Sequence, residues 1–158
     1  GYPIAEDDRL FERLIFEINQ AGLSWTTILN KADNLRRAYD HFAIERVAAY
    51  GEADIARLLA DVGIIRNRRK IAAAIHNARV IRELQAAHGS FRAWLDAQAG
   101  ADKAAWVKLF KKTFAFTGPE ITGEFLTSSG YLEGAHRRDC PVYAQILAAH
   151  ARWLTGGG

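Results

Sequence analysis

Leu10, Phe11, Leu14, Ile15 and Ile18 recur at three- and four-residue intervals, the spacing that places side chains on one face of a helix. Asp7 and Asp8 stand just before them, and acids suit the positive end of a helix dipole, so the first helix is predicted to begin there. Ala21-Gly22 breaks the pattern. Ser24 then offers a side-chain oxygen to the free amides of a second helix, predicted through Lys31, and Asp33 offers the same to a third, through Phe42. Short helices are predicted over Ile44 to Tyr50 and Asp54 to Ala60. Asp61-Val62-Gly63-Ile64-Ile65 reads as a tight connection, after which Asn67 caps a helix running to about Ala87. Past Gly89, Phe91 to Gln98 and Ala101 to Thr113 continue the helical pattern. Pro119 and Pro141 each open a helix at the position where a missing N–H does least harm, the last ending near Leu154.

No strand-like alternation and no repeat emerges, and no linker divides the chain. The reading is all-α: one helical domain over residues 1–154 and a flexible tail over 155–158. At 158 residues the chain is large enough to bury a core. Its 49% hydrophobic and 25% charged residues are ordinary for a globular protein. No apolar run has the length of a membrane span, and the visible start lacks the basic head and apolar block of a signal peptide. The single cysteine, Cys140, cannot form an internal disulfide and fits a reducing cytoplasm. A net charge of +3 is compatible with a polyanionic partner but does not specify one.

Local chemistry says more. At ~100° per residue, Glu17 falls roughly 60° from Leu14 and about 40° from Ala21, on the flank of the buried stripe. Two readings fit. Glu17 is a charge at the core margin, satisfied by backbone donors or an arginine, or it is a pocket carboxylate that a cationic ligand would pair. Trp25, in the first turn after the helix break, is either a lid on the core or an aromatic wall beside that carboxylate. Together the two would suit a flat, positively charged heterocycle.

The second feature is the run from Arg57 to Ile71. Two amphipathic helices meet at a hairpin containing Gly63, and Arg66, Arg68, Arg69 and Lys70 crowd the start of the second helix. Basic groups oppose the dipole there, whereas exposed amides at a hairpin and helix start are natural phosphate ligands. The choice lies between a solvated helix start and a phosphate-backbone contact, and the pattern favours the latter.

His136 and Cys140 are both zinc-binding types at a spacing that one helical turn brings together, but two ligands do not close a site. Glu83 stands 20 residues after Gly63, with Arg79 four residues before it, and is read as a surface helical pair. Lys111 and Lys112 precede Phe114-Ala115-Phe116 and read as a solvated helix end. His41, His76, His88 and His150 have no coherent partners. No serine-hydrolase triad, phosphate-binding glycine loop or nucleotide fingerprint is present.

These features occur together in an order that resembles the 3-methyladenine DNA glycosylase I family. The matching residues are Asp7-Asp8-Arg9-Leu10-Phe11-Glu12, Glu17 with Gln20-Ala21-Gly22-Leu23-Ser24-Trp25, and Ile28-Leu29. Asp61-Val62-Gly63-Ile64-Ile65-Arg66-Asn67-Arg68, Lys70-Ile71 and Asn77-Ala78 follow, then Lys111-Lys112, Phe114, Phe116 and Gly118-Pro119, and finally His136 and Cys140. The resemblance spans roughly residues 1–140 and is most specific in the glutamate–QAGLSW block and the GIIRNR hairpin.

The resemblance implies a helix-hairpin-helix glycosylase fold and excision of 3-methyladenine from double-stranded alkylated DNA. It implies that Glu17 contacts the flipped base, that Trp25 stacks on it, and that Leu23, between Gly22 and Ser24, enters the gap left in the duplex. Gly63, Ile65, Arg66, Arg68 and Lys70 would follow the phosphates. No lysine is placed as a Schiff-base nucleophile, so the expected enzyme is monofunctional, a monomer without a membrane partner, and needs no cofactor. A structural zinc on His136 and Cys140 would require further N-terminal ligands. The family's Tyr-His-Asp-x-Glu-Trp-Gly segment and N-terminal Cys lie ahead of the match, its last glycine falling on Gly1. Four departures bear on base preference and on zinc: Gly123 in place of a Tyr, then Glu124; Thr127 in place of a Gln; and Gly134-Ala135 in place of Asn-Asp. Two alternatives follow from them: a non-enzymatic alkylated-DNA or duplex-binding protein, and a glycosylase retuned to another lesion.

Overall fold

The computed structural model describes residues 6–133. They form α1 (Asp7–Gln20), α2 (Trp25–Ala38), a 3-10 turn (Asp40–Phe42), α3 (Ile44–Ala48), α4 (Glu52–Ala60), α5 (Arg68–His88), α6 (Phe91–Ala97), α7 (Lys103–Thr113) and α8 (Pro119–Ser128). Among the described residues there is no strand, so the all-α reading holds. The expected helix after Pro141, the tail, His136, Cys140 and His150 lie outside the described residues.

The stripe read in the sequence is the inner face of α1: Leu10, Phe11, Leu14, Ile15 and Ile18 are completely buried. Each such side chain contributes about 1.5–3 kcal/mol through burial. α1 packs against α2, α3, α5, α6 and α8, so whatever sits at its C-terminal end is held from several sides. One aromatic cluster, Phe11, Phe16, Tyr39, Phe42 and Tyr50, fills the space toward the 3-10 turn. Another joins Phe91, Trp94, Phe110, Phe114 and Phe125 between α6, α7 and α8.

Ser24, Asn67 and Asp102 cap their helices through side-chain oxygens, accepting from Thr27, from Arg69 and Lys70, and from Ala105. The expected cap at Asp33 is corrected: α2 runs without a break to Ala38, and Asp33 is a surface residue within it, paired to Arg36 at 3.2 Å. The buried residues Ile28, Ala32, Leu35 and Ala38 carry the helical spacing through this point, so packing outweighs a local capping preference. The acids at the start of α1 also reach further than their own helix. Asp7 accepts from the amides of Phe91 (2.8 Å) and Arg92 (3.0 Å) and from the Gln85 amide (2.9 Å), and Asp8 accepts from Ile44 N (3.1 Å). They therefore satisfy the first amides of α6 and α3 as well as complementing the positive end of the α1 dipole.

Candidate functional site

α1 ends at Gln20, and the chain turns sharply before α2. Gly22 makes the turn at φ +81°, a left-handed conformation that side chains disfavour, and Leu23 N closes it onto Gln20 O at 2.7 Å. Leu23 is thereby presented at the surface, 40% exposed, and Ser24 starts the next helix by accepting from Thr27 N at 3.1 Å. Opposite this turn lies the start of α8. Between them is a cleft of about 620 Å³, lined by Glu17, Gln20, Ala21, Gly22 and Leu23 on one side and Gly118, Pro119, Glu120, Ile121 and Glu124 on the other.

Glu17 is the cleft's buried charge, 3% exposed. Burial pushes its carboxyl above the ordinary range; the Arg13 guanidinium draws it partly back, and the negative charge of Glu124 adds to the rise. Arg13 Nη2 stands 2.7 Å from Glu17 Oε1, and Arg13 Nε donates to Ser128 Oγ at 2.9 Å. The same guanidinium lies over the Trp25 ring, its carbon 4.8 Å from the ring centroid. Trp25 is half-buried, packed against the core, and is not a lining residue of the cleft. Both sequence readings of Glu17 thus have a counterpart: it is satisfied by an arginine, and it faces a cleft.

Sequence reasoning missed Arg13. Its signal was the i, i+4 spacing from Glu17, which brings two helical side chains together. Three carboxylates, Glu17, Glu120 and Glu124, border the cleft, so its chemistry selects against anions and for a cation.

The hairpin between α4 and α5 forms as the sequence predicts, and its glycine has a steric reason. A Cβ on Gly63 would lie 3.0 Å from Asn34 Nδ2 of α2 and 3.1 Å from Asp61 Oδ1. Gly63 N donates to Asp61 Oδ1 at 2.8 Å, so the glycine amide already has an acceptor, whereas the amides of Ile65 and Arg66 have none among the described residues. Arg66, Arg68 and Arg69 are exposed, and Val62 at the tip is 77% exposed.

Lys70 is a correction. It is 5% exposed, and its ammonium donates inward to Asn19 O at 2.9 Å and Ala21 O at 2.8 Å. Burial lowers its pKa. The positive charge closes the C-terminus of α1, where the helix dipole favours it, and is not presented to solvent. By its third residue α5 has already turned inward, which the run of basic letters conceals. The expected Arg79–Glu83 pair is also corrected: Arg79 donates to Ala48 O (2.9 Å) and Tyr50 O (3.0 Å), closing α3, and Glu83 is exposed. Among the described residues no group of three His, Cys, Asp or Glu could hold a metal ion, and no helix is long and apolar enough to cross a membrane.

Residues 1–106 match the family described as methyladenine glycosylase. The chain is 33% identical over 162 residues to the DNA-3-methyladenine glycosylase 1 of Escherichia coli (strain K12), covering 90% of this chain and 86% of that protein. It is 28% identical over 160 residues to the DNA-3-methyladenine glycosylase of Haemophilus influenzae (strain ATCC 51907 / DSM 11121 / KW20 / Rd), covering 89% and 86%. Among solved structures, it superposes on a 3-methyladenine DNA glycosylase I with a TM-score of 0.79 at 34% identity, covering 89% of this chain and 87% of that one. A structure of the Staphylococcus aureus 3-methyladenine DNA glycosylase I, concerned with 3-methyladenine recognition, gives a TM-score of 0.80 at 31% identity, covering 89% and 85%.

Proposed function

The chain belongs to the methyladenine glycosylase family, and on that premise we propose how it acts on DNA. It excises 3-methyladenine from double-stranded alkylated DNA as a base-excision repair glycosylase. The observation that carries this reading is the buried Glu17 carboxylate facing a cleft whose other charged walls are Glu120 and Glu124. Methylation at N3 makes the adenine in DNA a cation, and a flat cation is the ligand such a cleft prefers. The relatives' names support the same base.

The chemistry asks little of the protein beyond binding. As the bond between the sugar C1′ and base N9 breaks, its electron pair goes to the base, which leaves as neutral 3-methyladenine. The sugar carbon, left electron-poor, takes an oxygen from water, and that water loses a proton, giving an abasic site. Glu17 pairs with the cationic base outside the helix and holds it while the bond lengthens. Trp25 supplies a ring face beside it, and Leu23, exposed at the tip of the turn, fills the gap in the duplex. The amides of Ile65 and Arg66 and the guanidinium groups of Arg66 and Arg68 meet the phosphates. No lysine is among the residues lining the cleft, and Lys70 is turned onto backbone carbonyls, so the strand is left intact. The enzyme works as a monomer in the cytoplasm without a cofactor; the lone Cys140 supports the compartment.

Incubation with methylated duplex DNA tests the reading. It expects free 3-methyladenine and strands that break only on later heating in alkali. Binding without released base at high protein concentration would instead establish a duplex-binding protein. Because Glu124 lines the cleft, the released bases should be identified individually: another N-alkylated purine dominating the products would mark a retuned pocket.

A further inference from the structure

The guanidinium of Arg13 is held by the same two groups that the proposed function assigns to the methylated base. It lies 2.7 Å from the Glu17 carboxylate and over the Trp25 ring at 4.8 Å. A guanidinium and an N-methylated adenine are alike in what such a site reads: both are planar, both spread one positive charge over nitrogens, and both present N–H donors in the plane. We propose that Arg13 is an internal stand-in for the substrate, occupying the cation seat between Glu17 and Trp25 in the free protein and giving it up when the base enters. This rests on the reading of the cleft as a cationic-base site.

Three observations carry it. The seat is limited, because Trp25 is packed against the core and the guanidinium covers the ring face turned to Arg13. An exit exists, because the Arg13 side chain is 29% exposed while Glu17 is almost fully buried, so the cation can swing to water and the carboxylate cannot. The remaining tie, to Ser128 Oγ at 2.9 Å, is a hydrogen bond to a neutral group and is the weaker one to break. Two roles follow. Arg13 competes with every incoming base by a common factor, since each must displace it. It also favours the ionised form of Glu17 while the cleft is empty, against burial and the nearby negative charge of Glu124. Without Arg13, the empty-state carboxyl would hold its proton to higher pH, and over that interval a cationic base would have to expel it.

The probe is the N3-methylated cation of 9-methyladenine, in which a methyl group replaces the sugar. Its binding is measured by calorimetry across the pH range of carboxylate titration, for wild type and Arg13→Met. In parallel, the Arg13 Nε–H resonance of the wild type is followed during titration. The expected result is that, at the alkaline end of that range, Arg13→Met binds the cation on the order of tenfold more tightly, and that its binding releases a proton up to a higher pH than wild-type binding does. The Arg13 resonance, displaced by the Trp25 ring current in the free protein, moves to the position of a free guanidinium as the probe saturates. Binding by Arg13→Met alone supports the proposal as well. If the probe binds wild type while the Arg13 resonance stays in place, or if Arg13→Met binds equally or more weakly at that alkaline end, Arg13 is a fixed wall and the proposal falls while the base-site reading stands. If neither protein binds the probe and no base is released from methylated DNA, both fall together. Should Arg13→Met not fold, the wild-type resonance decides alone.

Discussion

Glu17 combines two properties that pull against each other: almost complete burial and a negative charge. Since burial raises its pKa, the folded state binds a proton more readily than the unfolded chain over the interval above the ordinary value near 4.5. Stability rises with pH where the unfolded state holds more protons, and here the folded state holds more, so this group makes stability fall as pH rises through that interval. Glu17→Gln should remove that fall, seen as a flatter profile of unfolding free energy against pH in urea titrations at several pH values. It should also cut release of 3-methyladenine far more than it weakens binding to undamaged duplex. A variant whose pH profile matches wild type would show that Glu17 is not the buried titrating group. Trp25→Ala removes a stacking surface of the kind that contributes about 1–3 kcal/mol per base, so excision should fall roughly tenfold to a hundredfold with a smaller effect on undamaged DNA. Loss of folding in both variants would return the pair to a purely structural role. At this scale the placement of a carboxylate and a ring around a helix break was legible in the sequence: Glu17 is buried and faces the cleft, and Trp25 stands nearby without lining it. It did not point to Arg13, because a helical i, i+4 partner is only one of several acceptors a surface arginine can choose, and tertiary neighbours such as Ser128 decide among them.

Among the elements, the helix starts were the most legible, because Ser24, Asn67 and Pro119 act within a single turn of chain. Asp33 misled because a capping letter inside a continuous buried stripe is overruled by packing. Lys70 misled for a related reason: helical rotation carries it to the inner face, while Arg68 and Arg69 stay outside. Its position has a mechanical consequence. Lys70 belongs to the hairpin's second helix, yet its ammonium holds Asn19 O and Ala21 O, at the end of α1 just before the turn that presents Leu23. The hairpin and the turn beside the cleft are therefore bolted together by one buried cation. Lys70→Met keeps the bulk and leaves two inward carbonyls without that donor, which should lower unfolding free energy by about 1.5–3 kcal/mol. It should also speed hydrogen exchange at the amides of Ala21 to Leu23 beyond the global change. Exchange faster only in proportion to global stability would mean the lysine is a packing residue and no more.

For the molecule as a whole, the net charge of +3 conceals a separation of charge. Carboxylates of Glu17, Glu120 and Glu124 gather at the cleft, while Arg66, Arg68 and Arg69 stand exposed at the hairpin. A polyanion would be attracted to the hairpin and repelled by the cleft, and a cationic base projecting from that polyanion reverses the second effect alone. The two surfaces then report on different quantities, affinity for any duplex and preference for the damaged one. Each phosphate contact releases condensed counterions, so binding should weaken with salt by a slope of about 0.9 per contact in a log–log plot. Replacing Arg66 and Arg68 together with glutamine should reduce that slope by up to about 1.8 when both touch phosphate, lowering affinity for undamaged and methylated duplex by the same factor. The rate of excision at saturating protein should change far less, because neither arginine lines the cleft. An unchanged slope would remove the hairpin from the DNA interface, and a loss confined to methylated duplex would mean that the two charged surfaces are not separable.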